Sequence, residues 1–95
     1  MFEQIDCPEA QRLVEAGAQL VDVRGPDEFA RGALPGAKNI PVQVMGQQAG
    51  ELEEHKPVVL YCATGARSAQ AQMLLQQLGF AEVYNLGSIQ KYYTC

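Results

Sequence analysis

Cys62 closes the apolar run Val58-Val59-Leu60-Tyr61, and Ala63-Thr64-Gly65-Ala66-Arg67-Ser68 follow it directly. A thiol at the end of a strand-like run, just before a helix-like start, sits where backbone N–H groups converge. Their dipoles favour the thiolate, which is the nucleophilic form of cysteine. Arg67 adds a planar fork of donors able to hold two oxygens of a sulfonate or phosphate. Gly65 allows backbone geometry that a tight loop requires, and Thr64 and Ser68 supply hydroxyl groups. The chemistry indicated is attack by Cys62 on an anionic substrate, without a general base. The competing reading is structural. Cysteine is among the most buried residue types, and Arg67 would then be an ordinary surface residue on a helix.

Such a loop needs elements to hold it. Phe2 to Ile5 reads as a short edge strand. Asp6 and Glu9 have capping-box spacing, Pro8 suits a first helical turn, and Ala10, Leu13 and Val14 keep helical spacing up to Gly17. Gln19 to Val23 is a buried strand carrying an acid, with Asp22 and Arg24 at its C-terminal end. Gly25-Pro26 turns into a short helix over 26–32. Residues 38–41 form a brief strand closed by Pro41. Residues 42–54 are expected to be helical but weakly specified, because Gly46 and Gly50 loosen them.

Val58 to Tyr61 is the clearest strand. The pattern from Ala66 to Leu78 is helical, with Gln70, Gln72, Gln76 and Gln77 on its wet side and Gly79 at its end. Glu82 to Leu86 is a last strand, and Ile89 to Tyr93 one further helical turn. Strands alternating with helices imply a parallel sheet covered on both faces. Ligands of such sheets bind beyond the C-terminal strand ends, which puts Arg24 and Cys62 on one rim.

Ninety-five residues suit one domain, with a 47% hydrophobic share and a 19% charged share. The net charge is −4, and the seven Lys and Arg are spread singly, which argues against nucleic acid as a partner. Cys7, Cys62 and Cys95 fit no zinc spacing, and His55 is the single imidazole, so no metal and no cofactor is expected. Cys7 reads as a small residue at a helix start. Cys95 reads as mobile, available at most for a disulfide to another chain. No apolar run approaches membrane-spanning length, so no membrane partner is expected. Residues 1–6 lack the basic and apolar regions of a signal peptide. The expected location is cytoplasmic, or periplasmic for a processed form.

Three separated stretches resemble one family. Leu20-Val21-Asp22-Val23-Arg24 with Glu28-Phe29, then residues 32–41, then Tyr61 to Ser68 together look like a single-domain rhodanese, from about Ile5 to Gly87. The resemblance implies an α/β three-layer fold with a mostly parallel five-stranded sheet. It also implies a thiosulfate sulfurtransferase that carries sulfane sulfur as a persulfide to cyanide, a thiol or a sulfur-accepting protein. Carried over, Cys62 is the nucleophile. The amides of Ala63, Thr64, Gly65, Ala66, Arg67 and Ser68 hold the persulfide and the departing sulfite. Arg67 binds the donor oxyanion, while Asp22 and Arg24 brace the loop from behind. Related phosphatases carry five residues between cysteine and arginine, whereas this chain has four. Alternatives are a sulfur carrier with little turnover, or a phosphatase or arsenate reductase on the same fold. The chain departs from the family pattern at Ala33-Leu34, at Gly87-Ser88 with Tyr92-Tyr93, and in having one charged side chain in the loop. The last departure leaves room for polysulfide or a protein persulfide as donor.

Overall fold

The structure is a computed structural model that describes residues 3–95. Helix α1 spans Cys7–Glu15. Asp6 caps it, its carboxylate accepting from Glu9 N at 2.9 Å, and Pro8 lies in the first turn, where a missing N–H costs nothing. Strand β1 (Gln19–Asp22), helix α2 (Pro26–Ala30) and strand β2 (Lys38–Asn39) follow. Then come α3 (Met45–Gln48), β3 (Val58–Cys62), α4 (Ala66–Gln77), β4 (Val83–Ser88) and α5 (Ile89–Tyr92).

All four strands are parallel, in the order β2-β1-β3-β4. Every residue of β3 is buried, as a central strand covered on both faces must be. Alternation along it sorts the core into two layers. Val58, Leu60 and Cys62 face Met45, Ala71 and Leu75 of α3 and α4. Val59 and Tyr61 face Ala10 and Ile89 of α1 and α5. Cys62 is therefore the last inward residue on the α4 side, which aims its sulfur at the start of that helix.

Four expectations are corrected. Among the described residues the sheet has four strands rather than five. Phe2 lies outside the described residues, and Gln4 makes one isolated parallel bridge to Asn85, with Ile5 N donating to Asn85 O at 2.9 Å. A single bridge against an edge strand does not extend into a ladder. The expected 42–54 helix breaks into a 3-10 turn at Val42–Val44, the one-turn α3, and a 3-10 turn at Ala49–Glu51. Its glycines and β-branched valines supply little helix propensity, while Met45 and Leu52 still reach the core.

Gln72 is not on the wet side of α4. It is 8% exposed, and its Nε2 donates to Val83 O at 2.9 Å, so packing against β4 overrides polarity. Finally, Cys95 is bonded to Cys7 of the same chain, with the two Cα atoms 5.5 Å apart. The helices and the parallel sheet between them carry the two cysteines to one place, which the 88-residue separation hides. No helix among the described residues is long and apolar enough to cross a membrane.

Candidate active site

The rim is built from two segments. The first leaves β1. Asp22 is fully buried and Arg24 nearly so. Asp22 Oδ1 accepts from Arg24 N at 2.9 Å, and Oδ2 accepts from Arg24 Nη2 at 2.7 Å. Arg24 Nη2 also donates to Gly32 O at 2.7 Å, and its guanidinium lies over the Tyr61 ring, 5.8 Å from the centroid. A buried carboxylate–guanidinium pair that also satisfies backbone groups holds its segment in one geometry. What Asp22 and Arg24 grip is the 24–34 turn; they make no hydrogen bond to the Cys62 loop.

The part of that turn that reaches the loop is Glu28. Its carboxylate accepts from Arg67 Nη1 at 2.7 Å and from Nη2 at 3.0 Å, and Oε1 also accepts from Gly25 N at 3.0 Å. The Arg67 guanidinium and the Gly25 N–H hold the Glu28 carboxyl down at about 2. Arg67 is thus engaged by a carboxylate across the rim. Glu28 was absent from the expected site residues. Its acidic place in a first helical turn has a sufficient local explanation, and its partner lies 39 positions away.

The second segment is the loop itself. Cys62 has no exposed surface. Its sulfur accepts from Gly65 N at 2.9 Å, and Ser68 Oγ lies 3.5 Å away. Ser68 Oγ is also 3.1 Å from Gly65 O. In the thiol form Cys62 can donate to Ser68, which donates on to Gly65 O. In the thiolate form the Ser68 hydroxyl turns to the sulfur, and Asn85 Nδ2, 3.4 Å from Gly65 O, remains for that carbonyl. Burial is the largest single influence and pushes the Cys62 thiol up. The Ser68 hydroxyl and the backbone N–H groups of Ser68, Gly65 and Thr64 together outweigh it, leaving the thiol below its ordinary value. Ala63 is half-buried, while Thr64 and Ala66 are exposed at the loop's outer face.

Gly65 has φ +105°, and α4 begins at the next residue, so the loop requires a residue at home in left-handed backbone. Asn85 completes the support. It is buried, and its Oδ1 accepts from Gly87 N at 2.8 Å. Sequence reasoning missed it because an asparagine inside a strand carries no signal of the loop it will meet.

A strand-end thiol held by loop amides at a helix start, on the rim of a parallel sheet, defines a rhodanese-type domain. The chain belongs to the Rhodanese-like domain family, which its residues 6–95 match. It is 39% identical over 88 residues to a protein of Allochromatium vinosum named sulfurtransferase, covering 90% of this chain and 82% of that one. It is 34% identical over 85 residues to the thiosulfate sulfurtransferase GlpE of Pseudomonas aeruginosa, covering 90% and 77%. The Bacillus subtilis protein YqhL is 46% identical over 69 residues, which are 73% of this chain, and the chain spans only 55% of that relative's length. The solved structure of the human single-domain sulfurtransferase TSTD1 superposes with a TM-score of 0.83 at 29% identity, covering 96% and 94%. These relatives support a sulfurtransferase role.

Proposed function

We propose that the protein is a sulfurtransferase that carries sulfane sulfur on Cys62, with thiosulfate as a donor. The Cys62 thiolate attacks the outer sulfur of thiosulfate. The sulfur–sulfur bond breaks, and sulfite leaves with the bonding electron pair. The persulfide left on Cys62 is an anion that the Gly65 N–H and the start of α4 can stabilise. An acceptor thiolate or cyanide then attacks the outer sulfur, takes it as a persulfide or as thiocyanate, and returns the Cys62 thiolate. Thiolates enter and leave each step, so no general base takes part.

The observation that carries this reading is the 2.9 Å approach of Gly65 N to Cys62 Sγ, in a loop that lowers the thiol. The names of the relatives agree with it. A second reading is a sulfur carrier that takes its sulfur from a protein persulfide and turns over thiosulfate poorly. The Glu28 carboxylate on Arg67 favours it, because an occupied guanidinium binds sulfonate oxygens less well.

The test is thiocyanate production from thiosulfate and cyanide by the wild type and Cys62→Ala, run beside p-nitrophenyl phosphate hydrolysis. Turnover abolished by the substitution is expected. A wild type without turnover that nonetheless gains one sulfur in mass at Cys62 would establish the carrier. Phosphatase activity without sulfur transfer would overturn both readings.

A further inference from the structure

The backbone N–H that donates to the Cys62 sulfur at 2.9 Å belongs to a glycine. Gly65 has no side chain of its own to hold φ at +105°. Its position must be imposed from outside. Its carbonyl is held by Ser68 and Asn85, and its Cα faces a gap shared with Gly87, whose φ is +95°.

That gap is filled from the other end of the chain. A Cβ added at Gly65 would lie 2.7 Å from Gln4 Nε2 and 3.2 Å from Gly87 Cα. A Cβ added at Gly87 would lie 2.7 Å from Gln4 Cδ and 3.0 Å from Gln4 Nε2. The flat Gln4 carboxamide therefore lies across both glycines where their side chains would stand. Gln4 is itself exposed, while both glycines beneath it are buried.

The carboxamide is also anchored. Lys91 Nζ donates to Gln4 Oε1 at 3.2 Å and to Ile5 O at 2.8 Å. The Gln4 backbone is pinned by its bridge to Asn85, the strand residue whose side-chain amide donates to Gly65 O. The Cys7–Cys95 bond ties together the two segments that bear Gln4 and Lys91.

We propose that Gln4 is a positioning residue for Cys62: its carboxamide, anchored by Lys91, covers Gly65 and Gly87 and keeps the Gly65 N–H on the Cys62 sulfur. This rests on reading Cys62 as the nucleophile. Without the cover, water reaches the glycine pair, Gly65 regains its conformational freedom, and its N–H spends less time on the sulfur. The thiolate loses more than the thiol, because the hydrogen bond to the charged form is the stronger one.

The test is the pH dependence of Cys62 alkylation by iodoacetamide, followed on the Cys62 peptide by mass, in oxidised full-length protein. Gln4→Ala is expected to raise the alkylation midpoint by about half to one pH unit, which slows alkylation about 3–10-fold at pH values well below the midpoint. Gln4→Met, which refills the gap, is expected to restore most of it. Lys91→Met is expected to give a smaller rise that vanishes in the Gln4→Ala background. An unchanged midpoint in Gln4→Ala overturns the proposal even if thermal stability falls. So does a Lys91→Met rise that simply adds to that of Gln4→Ala, since Lys91 would then act by its charge alone. Should Gln4→Ala fail to fold, Gln4→Ser, which also uncovers the glycines, takes its place in every comparison, and an unchanged midpoint in it overturns the proposal. Failure of the nucleophile reading would appear separately, as sulfur transfer that survives Cys62→Ala.

Discussion

Reducing the Cys7–Cys95 bond should cost the protein a large part of its stability. The bond joins positions 88 residues apart, so it closes almost the whole chain into a loop. In the chain-entropy account, releasing a loop of that length returns about 4–5 kcal/mol of freedom to the unfolded state at 25 °C. A chain of this size has roughly 5–14 kcal/mol in total. The folded state loses little on reduction. Lys91 still donates to Ile5 O at 2.8 Å, and Cys7 Sγ lies 3.3 Å from Tyr92 O, an acceptor ready for the thiol. The assay is urea unfolding by circular dichroism with and without a phosphine reductant. With a slope of about 1.5 kcal/mol/M, the midpoint should fall by about 3 M, and the slope should rise as the unfolded chain expands. The Cys7→Ser/Cys95→Ser double variant should unfold like the reduced protein and ignore the reductant. A wild-type midpoint that moves by less than about 0.5 M would refute the loop-entropy reasoning.

Two further outcomes follow from the rim. The wild-type Cys62 alkylation rate should rise with pH through a midpoint below the ordinary ~8.5 of a free thiol. Ser68→Ala should move that midpoint upward, since it removes a donor to the thiolate; a downward move would show that Ser68 favours the neutral thiol. Glu28→Gln should free the Arg67 fork and lower KM for thiosulfate by up to about 5-fold with kcat nearly unchanged, as measured by steady-state turnover. In the wild type the carboxylate is present above its usual range and is lost only as pH falls through about 2, so Arg67 stays occupied across the working pH range. An unchanged or higher KM in Glu28→Gln would show that the pair holds Arg67 in place for the donor rather than away from it.

Elements with a local cause were legible in the sequence. The Asp6 cap, the fully buried β3 and the glycine at the start of α4 each follow from residues next to one another, and the structure has them. The alternation of strand-like and helix-like stretches implied the parallel sheet as well. What could not be read depends on distant partners. Gln72 looks like a wet-side glutamine until β4 offers Val83 O to its amide. Glu28 looks like a helix-start acid until Arg67 arrives. Cys7 looks inert until α5 brings Cys95 to it. The 42–54 segment failed for a different reason: its pattern was apolar enough to be buried but too rich in glycine and valine to hold one helix.

The complete burial of Cys62 has a consequence for who can meet it. A sulfur with no exposed surface is met only when the loop parts, and it must part further for a thiol mounted on another protein than for a slender anion. On the proposed mechanism the loaded state differs in reach as well as in chemistry. Its outer sulfur stands one bond length farther out, so the sulfur to be handed over projects beyond the one that holds it. Size would then sort the traffic. Empty protein would escape exchange with bulky disulfides, and loaded protein would offer bulky thiols the outer sulfur they are meant to take.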